Sequence, residues 1–486
     1  GFLSSPDGAW SAYKGESGFL SRLELTGYAV GDGQAEGKLS IGDPRSPQQP
    51  TNTIAENAQE LQRYLTGVKR LTGAEEVDLV AHSMGGLISR YYIDRLMEER
   101  DVAQLLMVAS PHGGSNCANL PASLGFFLPA SLELRPAYMQ QIFNRQITRR
   151  RGVPFHLFAG NPILQSFKAP CTGVPSDMVV ERNSVATLDS PQLELPYMHT
   201  AMNRSEQVFQ EFVAPLLKQG TGDFSLAADP PLEPAATGSL QFTKLFTGHV
   251  RPGQPEELTI QLNDLTVASF SMFDPTRSLA VEVRGAAGKV IPLNFDDHGL
   301  VQVDEPSSLI YLGYGFENPK PGPWKVTVLP TAETLPEGAD FAIAAKVVGS
   351  ATLQANVTPL APDFDEPVTL TARLNLAEVP VSDAKILATI RHPDGHRETV
   401  TLVGGADKTF TWTPHRPGLY GVDITAESYT LDGIPIARTA FLAFEMQPAS
   451  RKGGVNLLLL SALGSGAACW VGWRLRLLHR FWRRPQ

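Results

Sequence analysis

Residues 77–90 read V-D-L-V-A-H-S-M-G-G-L-I-S-R, and no other stretch restricts the fold of this chain so tightly. Val77 to Ala81 is an apolar run of the length of a buried strand. Leu87 to Met97 has helical spacing. Ser83, Gly85 and Gly86 stand between them and leave room only for a sharp turn. A strand that turns into a helix through a serine flanked by small residues presents the hydroxyl at the carboxyl end of a sheet. Ala81 takes the first of the small positions, where glycine is usual, and a methyl is the smallest departure from it.

The rest of the first 220 residues agrees with that context. Thr53 and Glu56 have the spacing of a capping box. Ile54, Ala58, Leu61, Leu65 and Val68 lie on one helical face, and Gly73 ends it. Strand patterns recur at Val102–Ala109 and Val153–Gly160. Alternating strands and helices predict an α/β domain with a mostly parallel sheet and helices on both faces.

A serine hydroxyl is a weak nucleophile. It needs a base to take its proton and a carboxylate to orient that base. Four histidines lie in this region: His82, His112, His156 and His199. His82 adjoins Ser83, so its ring is expected to point elsewhere in the turn. His156 lies in P-F-H-L-F-A-G, a buried-strand pattern, and reads as a core histidine. His112 and His199 remain as candidate bases. Asp78 precedes the serine on its own strand and suits a structural hydrogen bond.

The segment A-H-S-M-G-G-L-I-S-R-Y-Y resembles the nucleophile turn of α/β-hydrolase lipases. The likeness is greatest to bacterial esterase/lipases and the PGAP1-like (GPI inositol-deacylase-like) group, with some similarity to lecithin:cholesterol acyltransferases. It covers roughly the first 220 residues. The resemblance implies the chain order serine, acid, histidine. It places the base at His199, in Y-M-H-T-A-M before the last helical pattern of the domain (Val208 to Leu217). His112, in V-A-S-P-H-G-G-S, is similar to a T-P-H-x-G-S stretch that shapes the pocket. The acid then falls at Asp177, because S-D-M-V-V resembles S-D-G-V-V. Met178 stands where the family often has glycine, and Asp189 and Glu181 are the alternatives. The oxyanion hole would use the backbone N–H groups of Met84 and of Phe2, with Leu3 as the alternative. The chain opens G-F-L-S-S without methionine. That opening is similar to the residues after the histidine in the family's H-G-F segment, so a truncated N-terminus is expected. No cofactor or metal is implied.

Between the strands ending near Ala109 and starting at Val153 lies a long insertion with Leu120, Leu124, Phe126, Phe127, Leu128 and Leu132. It reads either as a lid or acyl-binding surface or as packed surface helices. Residues 221–238 read as a linker. Two all-β units come next, 239–358 and 359–448, with period-2 alternation and turn signals that predict β-sandwiches. The second resembles bacterial immunoglobulin-like modules. They could bind carbohydrate or protein, and a spacer role is the simpler expectation. Residues 453–473 carry no charge and are long enough to span a membrane. Five arginines lie within 474–486, which places that tail in the cytoplasm and the other domains outside.

The net charge is −9 and there is no basic stripe for nucleic acid. Cys117 and Cys171 flank segments expected to converge at the active-site end of the sheet, and an oxidising exterior would permit a disulfide between them.

The expectation is thus a membrane-anchored, extracytoplasmic serine ester hydrolase acting on lipid or other acyl esters. The alternatives are an acyltransferase with the same triad, or a surface adhesion protein with an inactive hydrolase fold. The tail assignment is tested by fractionation. A chain ending at Ser450 should leave the membrane fraction, and persistence there would put the anchor elsewhere.

Overall fold

The computed structural model of the chain describes residues 2–219, 240–263, 265–292, 301–302 and 311–448. The expected linker at 221–238, the apolar run at 453–473 and the basic tail at 474–486 lie outside them. Among the described residues no helix is long and apolar enough to cross a membrane.

Four parallel strands, β1 (Val77–His82), β2 (Val102–Val108), β3 (Phe155–Gly160) and β4 (Gln192–Leu195), lie side by side in chain order. β2 is buried along its whole length, as a parallel strand covered on both faces must be. Its alternate residues enter different cores. Leu105 and Met107 face helix α1 (Ile54–Thr72) through Ile54, Ala58, Leu61 and Leu65. Leu106 and Val108 face Val208, Phe209, Phe212 and Val213 in the last helical segment. Helix α1 begins with the reciprocal Thr53–Glu56 capping box and ends at Gly73, whose φ of +73° suits the residue without a Cβ. Helix α2 (Met84–Tyr91) starts directly after Ser83 and continues as one π-turn through Tyr92–Leu96.

The described residues within 240–448 form antiparallel sheets around two hydrophobic clusters. Strands Leu265–Phe273 and Ala339–Gly349 supply one side of the first cluster, and Glu256–Leu262 and Gly322–Pro330 the other. The second lies between Gly418–Tyr429 with Pro435–Met446 and Val368–Leu376 with Ala351–Thr358. The sandwich expectation is modified in two places. Ala351–Thr358, on the N-terminal side of the expected boundary at 358, pairs with Val368–Leu376 and packs in the second cluster. Strand periodicity marks which side chains are buried but not which sheet a strand joins. The short strand Gln241–Phe242 pairs with both Ala339–Gly349 and Pro435–Met446, linking the two strand sets into one sheet.

The β region packs closely on the α/β domain, through the insertion that the sequence leaves open between lid and packed surface. Phe126 and Phe127 are buried, each with its ring centroid 6.3 Å from that of Phe273, and Phe127 lies edge-on to Phe2 at 5.6 Å. Arg135 is buried, pairs with Asp423 at 2.9 Å and stacks on Phe441. Arg391 donates to the Ser123 carbonyl at 3.0 Å. The Nζ of buried Lys346 donates to the carbonyls of Ser166 and Ala169 at 2.6 Å and of Thr172 at 3.0 Å, with the Ser166 hydroxyl oxygen a further acceptor at 3.2 Å. The apolar run is therefore mostly a wedge between two parts of the fold, and the β region is a packed neighbour, not an extended spacer.

Phe127→Ala should destabilise the fold by about 3–5 kcal/mol, as truncation of a buried aromatic does. Denaturant unfolding measures this. An unchanged unfolding midpoint would show that the Phe127–Phe273 contact does not hold the two parts together.

Candidate active site

Ser83 sits between β1 and α2 with φ +54° and ψ −129°, a conformation that L-residues rarely adopt. Its backbone N–H donates to the Val108 carbonyl at 2.8 Å, which ties the turn to the end of β2. Gly86 is the position that must stay small. A Cβ there would lie 2.1 Å from the Ser110 hydroxyl oxygen, whereas at Gly85 the nearest atom, the Ala81 methyl, is 3.7 Å away. The alanine at 81 fits for that reason. Met84 is fully buried and supplies the first N–H of α2, which has no acceptor within the helix.

The structure brings Ser83, His199 and Asp177 together. His199 Nε2 lies 3.0 Å from Ser83 Oγ, and its Nδ1 lies 2.8 Å from Asp177 Oδ2. Nδ1–H donates to the carboxylate, so Nε2 is left to accept the serine proton. The other carboxylate oxygen, Oδ1, accepts from the backbone N–H groups of Val179 at 3.0 Å and Val180 at 2.7 Å. Asp177 is 1% exposed, and these bonds compensate the burial of its charge. Met178 takes φ +85° in the tight loop, the conformation the family's glycine would adopt freely, and buries its side chain beside Ile163 and Ala169. The Asp177 carbonyl also accepts from the backbone N–H of His199 at 3.0 Å. Cys117 and Cys171 form a disulfide with Cα atoms 5.0 Å apart, and Cys171 is close in sequence to the loop that carries Asp177.

The other candidates are held elsewhere. The His112 Nδ1 receives a hydrogen bond from Arg90 at 3.2 Å, and its carbonyl accepts from Asn144. Burial and the adjacent guanidinium push His112 well below the usual histidine range. Burial likewise brings Arg90 down to about 9. His156 lies on β3 opposite Leu106. Glu181 accepts from the Gly173 N–H at 2.8 Å, and the Asp189 carbonyl accepts from Arg150. Asp78 lies across from Gln104 of β2. The Leu3 N–H is committed to the Ile41 carbonyl at 3.0 Å, which leaves Phe2 as the candidate second oxyanion donor.

One neighbour departs from the sequence expectation. The His82 ring does not point away: its Nε2 lies 2.9 Å from the His199 carbonyl oxygen, and the two rings are 4.8 Å apart. Only its adjacency to the serine is visible in sequence, and a side-chain bond to a distant carbonyl leaves no pattern there.

Residues 51–140 match the family model of the PGAP1-like alpha/beta domain. The chain is also similar to the propeptide form of the Bacillus licheniformis lipase BlEst2, at 15% identity and a TM-score of 0.55, covering 81% of this chain and 86% of that one. The mature form of the same lipase matches at 20% identity and a TM-score of 0.30, over 34% of this chain and 75% of that one. A bacterial membrane phospholipase A matches at 18% identity and a TM-score of 0.23, over 37% and 66% respectively. The N-terminal domain has the α/β-hydrolase fold, similar to that of the lipase BlEst2, and is followed by a large antiparallel β region.

His82 and His112 are buried and both stay neutral well below the usual histidine range. The unfolded chain takes up protons at these positions below pH about 6.5, and the native chain does not. Their contribution to stability is therefore complete above that pH and is lost as pH falls below it. Melting temperature should drop from pH 7.5 to 5.5, and His112→Gln should flatten the slope. An unchanged slope would show that other groups govern the acid limb.

Proposed function

We propose that this chain is a serine carboxylic-ester hydrolase acting on lipid or related acyl esters. The observation that carries the reading is the hydrogen-bonded sequence from Ser83 Oγ to His199 Nε2 and from His199 Nδ1 to Asp177, on a strained turn at the carboxyl end of a parallel sheet. In this reading Ser83 Oγ attacks the ester carbonyl while His199 Nε2 takes its proton. The carbonyl oxygen becomes an anion held by the backbone N–H groups of Met84 and Phe2. Asp177 stabilises the imidazolium, which then protonates the departing alcohol. A water molecule, deprotonated in turn by His199, releases the acid and restores Ser83. None of these steps requires a cofactor.

Lipid esters are the favoured substrate class because a structure similar over most of the chain is that of a lipase. An extracytoplasmic location, with 453–473 as anchor, accords with the buried disulfide, which an oxidising compartment would maintain.

An ester panel on the purified chain tests the proposal. Ser83→Ala and His199→Ala should each lose several orders of magnitude in kcat, and non-additively, because the members act as a unit. His112→Ala should retain the rate if folded. A dead His112 variant beside an active His199 variant would overturn the assignment of the base.

A further inference from the structure

His82 closes β1 immediately before the nucleophile, and the residue is 7% exposed. Its partner, the His199 carbonyl oxygen, can only accept, so the imidazole proton sits on Nε2 and points across the turn at the base. The two peptide groups that flank His199 are thereby both bound. Its N–H goes to the Asp177 carbonyl at 3.0 Å, and its C=O receives His82. His199 itself belongs to no helix or strand; it lies in the connection between β4 and the next turn at Met202–Arg204. A residue in such a connection keeps its place only through bonds of this sort, and a shift of about 1 Å in a reacting group can lower a rate about 100-fold. We propose that His82 is a positioning residue that fixes the backbone of the general base His199 through its Nε2–H, and so sets the distance from imidazole to Ser83. The proposal rests on the reading of Ser83, His199 and Asp177 as a triad.

The chemistry of the site favours a neutral ring at this position. His199 gains a positive charge each time it takes the serine proton, with the His82 ring 4.8 Å away. Burial and the neighbouring His199 hold His82 well below the usual histidine range, so it remains an uncharged donor while its neighbour cycles. A lysine or arginine could supply the same hydrogen bond but would oppose the imidazolium. The donor is also local: it is joined to Ser83 by one peptide bond, so nucleophile and base are referred to the same short segment of backbone.

The test compares three replacements in the full chain. His82→Phe keeps the ring volume and removes the donor. His82→Gln places an amide N–H near the position of the imidazole Nε2, and His82→Asn keeps an amide too short to reach the carbonyl. Phe and Asn variants should lose about 10- to 100-fold in kcat with KM changed by less than about twofold, and Gln should recover most of that loss. In the His199→Ala background, His82→Phe should cause no further loss, because no base remains to be positioned. The proposal is overturned if the Phe variant keeps native kcat, if Gln fails to recover activity while its melting temperature matches that of the native chain, or if the losses in the His199→Ala background add. Failure of the triad reading is separately visible: Ser83→Ala would then retain activity whatever the His82 series shows.

Discussion

A serine left to its own preferences does not take φ +54° and ψ −129°; the surrounding structure imposes that conformation. A strained residue of this kind costs about 1–3 kcal/mol and persists only where its neighbours determine it. Here the determinants are visible. The Ser83 N–H is bound to the end of β2, α2 starts at the next residue, and Gly86 lets that helix approach Ser110 more closely than any side chain would allow. The parallel sheet fixes β1 and β2 in register, and the helix packs across both. Everything else in the site is arranged around the direction in which this turn aims one hydroxyl.

The loop that carries Asp177 is held by the opposite strategy, with many small restraints in place of one rigid turn. Two backbone N–H groups bind the carboxylate, the Cys117–Cys171 disulfide anchors the approach, and Lys346 from the β region grips three carbonyls between 166 and 172. The β region therefore does more than come after the α/β domain in sequence. It braces the segment that leads to Asp177, and through Phe273 it supports the insertion that packs on Phe2. These contacts converge on a buried carboxylate that is hydrogen-bonded to His199.

The α/β domain is legible in the sequence because its signals are local. The capping box at Thr53, the stop at Gly73 and the small residues around Ser83 each lie within a few residues of the feature they define. Residues as far apart as Ser83 and His199 can be placed in one site only through the resemblance to known hydrolases, since spacing alone does not bring them together. The hidden part depends on contacts between distant segments. The leucines and phenylalanines of the insertion announce burial but not their partner, and that partner is Phe273, in a strand of the distant β region. The strand at Ala351–Thr358 shows its alternation without showing which sheet takes it. Met178 reads as a defect in a turn that favours glycine, yet its side chain fills a small core beside Ile163, which offsets part of the backbone strain. His82 escapes a sequence reading because adjacent residues usually face apart, but across the bend at Ser83 its ring meets His199.

The central claim is that Ser83 carries the acyl group during turnover. The most direct measurement is to mix the chain with a p-nitrophenyl ester, quench in acid during the first turnover and map the modified peptide by mass spectrometry. The account predicts a burst of nitrophenol and the acyl mass on the peptide containing Ser83, absent after denaturation of the chain before mixing. Turnover with the acyl mass on a different residue, or with no burst and no covalent intermediate under conditions where deacylation is slow, would contradict it.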